Sequence, residues 1–190
     1  MKMKLMSKVT VCLAALTLLV SCGNPQPRRP VTRSQGTFLK ESVERNKKMV
    51  AGEEDKIDSI IKSNPNEKYL ASKKGYWYTY VKQNTKDTLR PRKGDVAYFD
   101  YEISDLDGNV IYTQLELRPQ EYHVDKEQET MMGLRHGIKL MRKAETVKFL
   151  FPSHMGYGYR GDSRRILQNQ PLICIVTLND FKPETKTTTE

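Results

Sequence analysis

From Asp95 to Ile103 two sets of side chains alternate with a period of two, Ala97, Phe99, Tyr101 and Ile103 against Val96, Tyr98, Asp100 and Glu102. Successive side chains of a strand point to opposite faces, so this alternation predicts a strand with Ala97, Phe99, Tyr101 and Ile103 on its core face. Asp105-Leu106-Asp107-Gly108 then supplies a hairpin turn, and Asn109 to Thr113 returns as the next strand. The apolar face of such a hairpin has to be covered by other elements.

Those elements follow the same logic on either side. Gly75 to Val81 is dense in tyrosine and other β-formers, and Lys82 to Lys93 reads as a polar connection closed by Gly94. Gly133 to Met141 predicts a short helix, with Leu134, Ile138 and Met141 at i, i+4 and i+7 and with Arg142 and Lys143 set against its C-terminal dipole. Val147, Phe149 and Phe151 alternate again until Pro152 ends the strand, and Leu172 to Leu178 is a nearly continuous apolar strand. Upstream, residues 38–74 form a helical pre-segment: Glu53-Glu54-Asp55 suit a helix N-terminus, Ile57, Ile60 and Ile61 share one face, and Ser63-Asn64-Pro65-Asn66 stops the helix. Gly52 is expected to divide it. The sum is an α+β domain over residues 75–183, an antiparallel sheet with one helix across it, followed by a disordered tail at 184–190.

The first residues read as an address. Lys2, Lys4 and Lys8 precede the apolar run Val9 to Val20, the build of a secretory signal peptide over residues 1–21. Leu19-Val20-Ser21-Cys22 followed by Gly23-Asn24-Pro25 resembles a bacterial lipoprotein box, which implies acylation of Cys22 and a lipid anchor. Residues 22–37, with Pro25, Pro27, Pro30 and three arginines, have the composition of an extended tether. Losing residues 1–21 lowers the formal charge from +9 to +6, and no arginine–aromatic patch accompanies it, so the balance does not argue for nucleic acid. With Cys12 in the signal and Cys22 consumed by lipid, Cys174 stands alone and no intrachain disulfide is expected.

P-loop, G-x-S-x-G and paired Cys or His at metal spacing are all missing from the sequence. His123, His136 and His154 are scattered, and Asp105 with Asp107 is explained by the turn they build. The order of elements is more telling. Gly94-Asp95-Val96-x4-Tyr101, Asp107-Gly108, the helix opened by Gly133, Pro152-x4-Tyr157-Gly158 and Ile166-x5-Leu172 together resemble the FK506-binding-protein (FKBP) type of peptidyl-prolyl cis-trans isomerase. The signal, lipobox cysteine and helical pre-segment are similar to the gliding-motility-associated lipoprotein branch of that family.

The resemblance implies an FKBP-like sheet wrapped around a short helix, no cofactor and no metal. It also implies proline-containing polypeptide clients in the periplasm, binding of FK506-like macrolides, and attachment to the envelope, at the outer membrane, facing the periplasm. By the same resemblance Tyr101 is a wall of the pocket, and Tyr157 donates its hydroxyl to a carbonyl of the bound peptide. Ile111, Tyr122, Met131 and Ile166 fall at other pocket positions. Tyr112 stands where the family has an aspartate, Leu134 where it has a tryptophan floor, and Cys174 where it has a phenylalanine. Losing that aromatic surface predicts reduced activity, or a module that holds chains without turning them over.

Overall fold

The computed structural model describes residues 35–183. The expected signal, Cys22, most of the tether and the tail at 184–190 lie outside the described residues. The chain divides into two compact units, residues 1–40 and 41–190; of the first, only the start of one helix is described. That helix, α1, runs Gln35–Ser63. It begins inside the expected tether, because beyond Pro30 nothing in Gln35-Gly36-Thr37 stops a helix from extending. It also passes through Gly52 unbroken, contrary to the expected division. A lone glycine costs a helix only about 1 kcal/mol, and the next turn is fixed by Glu53 and Ile57, which are 6% and 0% exposed. No described helix is long and apolar enough to cross a membrane.

In the second unit the strands are β1 (Leu70–Ala71), β2 (Trp77–Lys82), β3 (Asp95–Ser104), β4 (Val110–Tyr112), β5 (Gln120–His123), β6 (Thr146–Phe151) and β7 (Leu172–Pro183). All described pairings are antiparallel, in the order β1-β2-β6-β7-β3-β4, with β5 also on β3. β3 carries the alternation expected of it, with Ala97, Phe99 and Ile103 buried. Two strands were not expected, β1 and β5. Beside β5 sits a four-residue helix, α2 (Gln114–Leu117), closed by a reciprocal capping box between Thr113 and Glu116.

Helix α3 (Met132–Ile138) crosses the sheet, shorter than the expected 133–141. It lies unusually close to β6. A Cβ on Gly133 would meet the Phe151 ring at 2.6 Å, and one on Gly137 would meet the Phe149 ring at 2.7 Å. These i, i+4 glycines give the helix a bare stripe on which the two phenyl rings, stacked with centroids 5.3 Å apart, rest directly. The close approach sets the depth at which the neighbouring Leu134 and Met131 meet the sheet. Tyr76, Val147, Phe149, Cys174, Val176, Ile138 and Met141 complete the core around them.

Candidate functional site

β3 and the segment after β6 bring together the two aromatic hydroxyls singled out in the sequence. Tyr101 follows Phe99 on the core-facing row of β3, opposite Val176 of β7. β6 ends at Phe151; Pro152 then leads into a 3-10 turn, Ser153–Met155, and Tyr157 stands just beyond it, before a second such turn at Gly158–Arg160. Tyr101 and Tyr157 face one cavity of about 220 Å3, and Phe99, Met131 and Leu134 supply its apolar surface. Gln120 and Glu121 of β5, with Glu127, Glu129 and Thr130 before α3, make its polar side. A larger groove, about 740 Å3, lies between α1 and the residues following β6, but it contains none of the residues expected to form the pocket.

Burial raises the Tyr101 hydroxyl above the ordinary phenol range, with the nearby Tyr157 and Cys174 adding to it. Burial likewise raises Tyr157, against a hydrogen bond with Tyr101 that pulls it down. Both phenols therefore stay protonated at neutral pH. Each phenol hydroxyl can both donate and accept a hydrogen bond. The arrangement offers a neutral donor beside an apolar wall. It contains no nucleophile paired with a base.

A polar clamp borders the site. Tyr112 hydrogen-bonds to the Asp162 carboxylate, whose other oxygen accepts from the backbone N–H groups of Arg164, Arg165 and Ile166 at 2.8, 2.9 and 2.8 Å. Burial alone would raise the Asp162 carboxyl, but these donors hold it below the usual carboxylate range. Arg165 lies over the Tyr112 ring, 4.1 Å from its centroid, donates to the Ile111 carbonyl at 2.8 Å and pairs with Glu116 at 2.6 Å. The segment 162–166 is thereby tied to β4 and α2.

Of the residues expected at the pocket, Tyr101, Met131, Leu134 and Tyr157 meet in the cavity. The others occupy different places. Ile166 is buried where that clamp closes, Ile111 is half-buried on β4, and Tyr112 gives its hydroxyl to the clamp. Tyr122 is fully buried, and its hydroxyl accepts from the Asp125 N–H at 3.0 Å. Cys174 is fully buried in β7 between β3 and β6, and burial pushes its thiol well up. Phe99 and the polar side of the cavity were not expected there. The alternation of Tyr122 with Val124 after Pro119 was the available signal for β5, whereas nothing in the sequence points to Arg165.

The family model for FKBP-type peptidyl-prolyl cis-trans isomerase matches residues 87–179, which include Tyr101, Leu134 and Tyr157. No curated protein sequence matches the chain. Among solved structures, FkpA from Escherichia coli is similar with a TM-score of 0.58 at 19% identity, covering 96% of this chain and 83% of that one. A peptidyl-prolyl cis-trans isomerase from Pseudomonas syringae pv. tomato gives 0.56 at 19% identity, covering 72% and 95%. The N-terminal domain of FKBP42 from Arabidopsis thaliana gives 0.54 at 18%, covering 60% and 92%. These likenesses establish the fold, and the matched segment carries the family: residues 87–179 form an FKBP-type peptidyl-prolyl cis-trans isomerase domain.

Proposed function

We propose that this protein is a lipid-anchored prolyl isomerase of the cell envelope, akin to the gliding-motility-associated GldI isomerases, facing the periplasm from the outer membrane and assisting the folding of exported proteins, gliding or secretion components among them. The observation that carries the site is the convergence of Tyr101 and Tyr157 on one small cavity above Leu134. Turning an X–Pro amide breaks no bond; its barrier of about 18–20 kcal/mol arises from resonance lost on twisting. A site that strips water from the amide and binds the twisted form better than either planar form lowers that barrier. In this reading Tyr157 donates to a carbonyl of the bound chain, the prolyl ring rests on Leu134, and Phe99, Tyr101 and Met131 wall it in. FK506-like macrolides, which present a similar ring and carbonyls, are ligands for the same cavity.

Leu134 and the buried Cys174 favour a second reading, a module that holds proline-containing chains with little turnover, because both positions offer less apolar surface than an aromatic ring. Isomerisation of an X-Pro peptide by the purified chain separates the two. Attachment rests on Cys22 closing a lipobox-like signal. Labelling cells with a fatty-acid analogue tests it, and a Cys22→Ala variant that labels as strongly as wild type removes it.

A further inference from the structure

Helix α1 lies outside the family-matched segment, yet it contributes a buried carboxylate to the turn that precedes Tyr157. Glu53 is 6% exposed and Ser153 is 1% exposed, 100 residues apart in sequence. The backbone N–H of Ser153 donates to one Glu53 oxygen at 2.8 Å, and the Ser153 hydroxyl donates to the other at 2.7 Å.

The placement has a specific physical meaning. The first N–H groups of a helical turn have no partner within the turn. Pro152, which precedes this one, has no side-chain donor or acceptor to offer, and it makes no capping bond. Glu53 supplies the cap from another element. Burying a carboxylate is costly unless its oxygens are satisfied, and here both are. The capped turn then passes its geometry onward: Ser153 O accepts from Gly156 N at 3.0 Å, and Tyr157 is the next residue. One turn further along α1, Ile57 is fully buried, so the same helix face is anchored at the contact and again one turn beyond it.

We infer that Glu53 is a positioning residue for Tyr157, and that α1 is therefore a working part of the isomerase. The inference rests on the reading of Tyr157 as the peptide-contacting hydroxyl. Small displacements of a group that meets the reacting amide are expensive in rate, so loss of the cap should be felt in turnover.

The test measures kcat/KM on a short X-Pro peptide with the full chain, at a temperature where circular dichroism shows every variant folded. Glu53→Ala, Glu53→Gln and Ser153→Ala are each made alone and combined with Tyr157→Ala. The expected result is a five- to tenfold loss for Glu53→Ala, partial recovery in Glu53→Gln, which keeps one acceptor oxygen, and a smaller loss for Ser153→Ala. In the Tyr157→Ala background the same changes should alter kcat/KM by less than twofold, while the thermal midpoint falls equally in both backgrounds. If Glu53→Ala does not fold, the Gln and Ser153→Ala variants carry the same comparison. If Tyr157→Ala lowers kcat/KM but the Glu53 and Ser153 changes either leave it unaltered or multiply through in the double variants, the positioning role is overturned. A Tyr157→Ala protein as active as wild type overturns the reading of Tyr157 itself, and the inference with it.

Discussion

Tyr157 and Leu134 are the residues at which the chemistry is most exposed to test. Tyr157→Phe keeps the ring in place and removes one hydroxyl, so it should weaken binding of a proline peptide or macrolide by about 0.5–1.5 kcal/mol, read by titration calorimetry. The thermal midpoint should barely move, and an unchanged affinity would mean that the hydroxyl does not reach the ligand. Leu134→Trp restores the aromatic floor and should raise kcat/KM by up to about tenfold, equivalent to ~1.4 kcal/mol. The larger ring meets a helix already pressed on Phe151 by Gly133, so a cost of ~1–3 kcal/mol in stability is expected with it. A folded Leu134→Trp protein with no gain would show that the prolyl ring does not sit there. Tyr101, Tyr157 and Leu134 were readable from the sequence because fixed spacings within β3, after Pro152 and within the helix tie them to elements whose order is itself readable. Tyr122 and Cys174 sit at family-like positions but point into a closed core, and position along a strand does not reveal how much neighbouring bulk covers it.

The close contact of α3 on β6 makes its own prediction. In Gly137→Ala the new methyl would meet the Phe149 ring at 2.7 Å, and that ring is fully buried and stacked on Phe151. Overpacking of about 1–3 kcal/mol outweighs the helix propensity gained, roughly 1 kcal/mol at most. The thermal midpoint should fall by several degrees, at about 2–4 °C per kcal/mol for a domain of this size. A midpoint at or above that of wild type would place the helix farther from the sheet. The clamp at 162–166 predicts a pH dependence. Asp162 is held below its ordinary value in the folded protein, so its contribution is fully present above the unfolded carboxylate value of about 3.9 and is lost as pH falls through the folded one. Urea midpoints followed from pH 6 to pH 3 should fall more steeply for wild type than for Asp162→Asn. Parallel curves would deny the carboxylate that role. At this scale β3, β4, β6 and β7 were legible from alternation and turn chemistry, while β1 and β5 were not. β1 is two residues long, and β5 is four residues long, too short for the alternation of Tyr122 with Val124 to stand out by itself. The continuity of α1 through Gly52 also escaped the sequence, because the contacts of Glu53 and Ile57 that hold it come from elsewhere in the chain.

For the whole molecule, the fold supplies a small cavity lined by Tyr101 and Tyr157, and α1, outside the family-matched segment, reaches the turn before Tyr157 through Glu53. Whether this cavity turns X–Pro bonds is read by exchange spectroscopy on a proline peptide, since cis and trans forms give separate resonances that broaden or exchange only if the protein speeds their interconversion. The purified full chain should make exchange far faster than the uncatalysed process, which takes roughly tens to hundreds of seconds, and Tyr157→Phe should cut that acceleration several-fold. Exchange no faster than in buffer, with the peptide bound and the protein folded, would contradict the account and leave a module that holds prolyl chains without turning them.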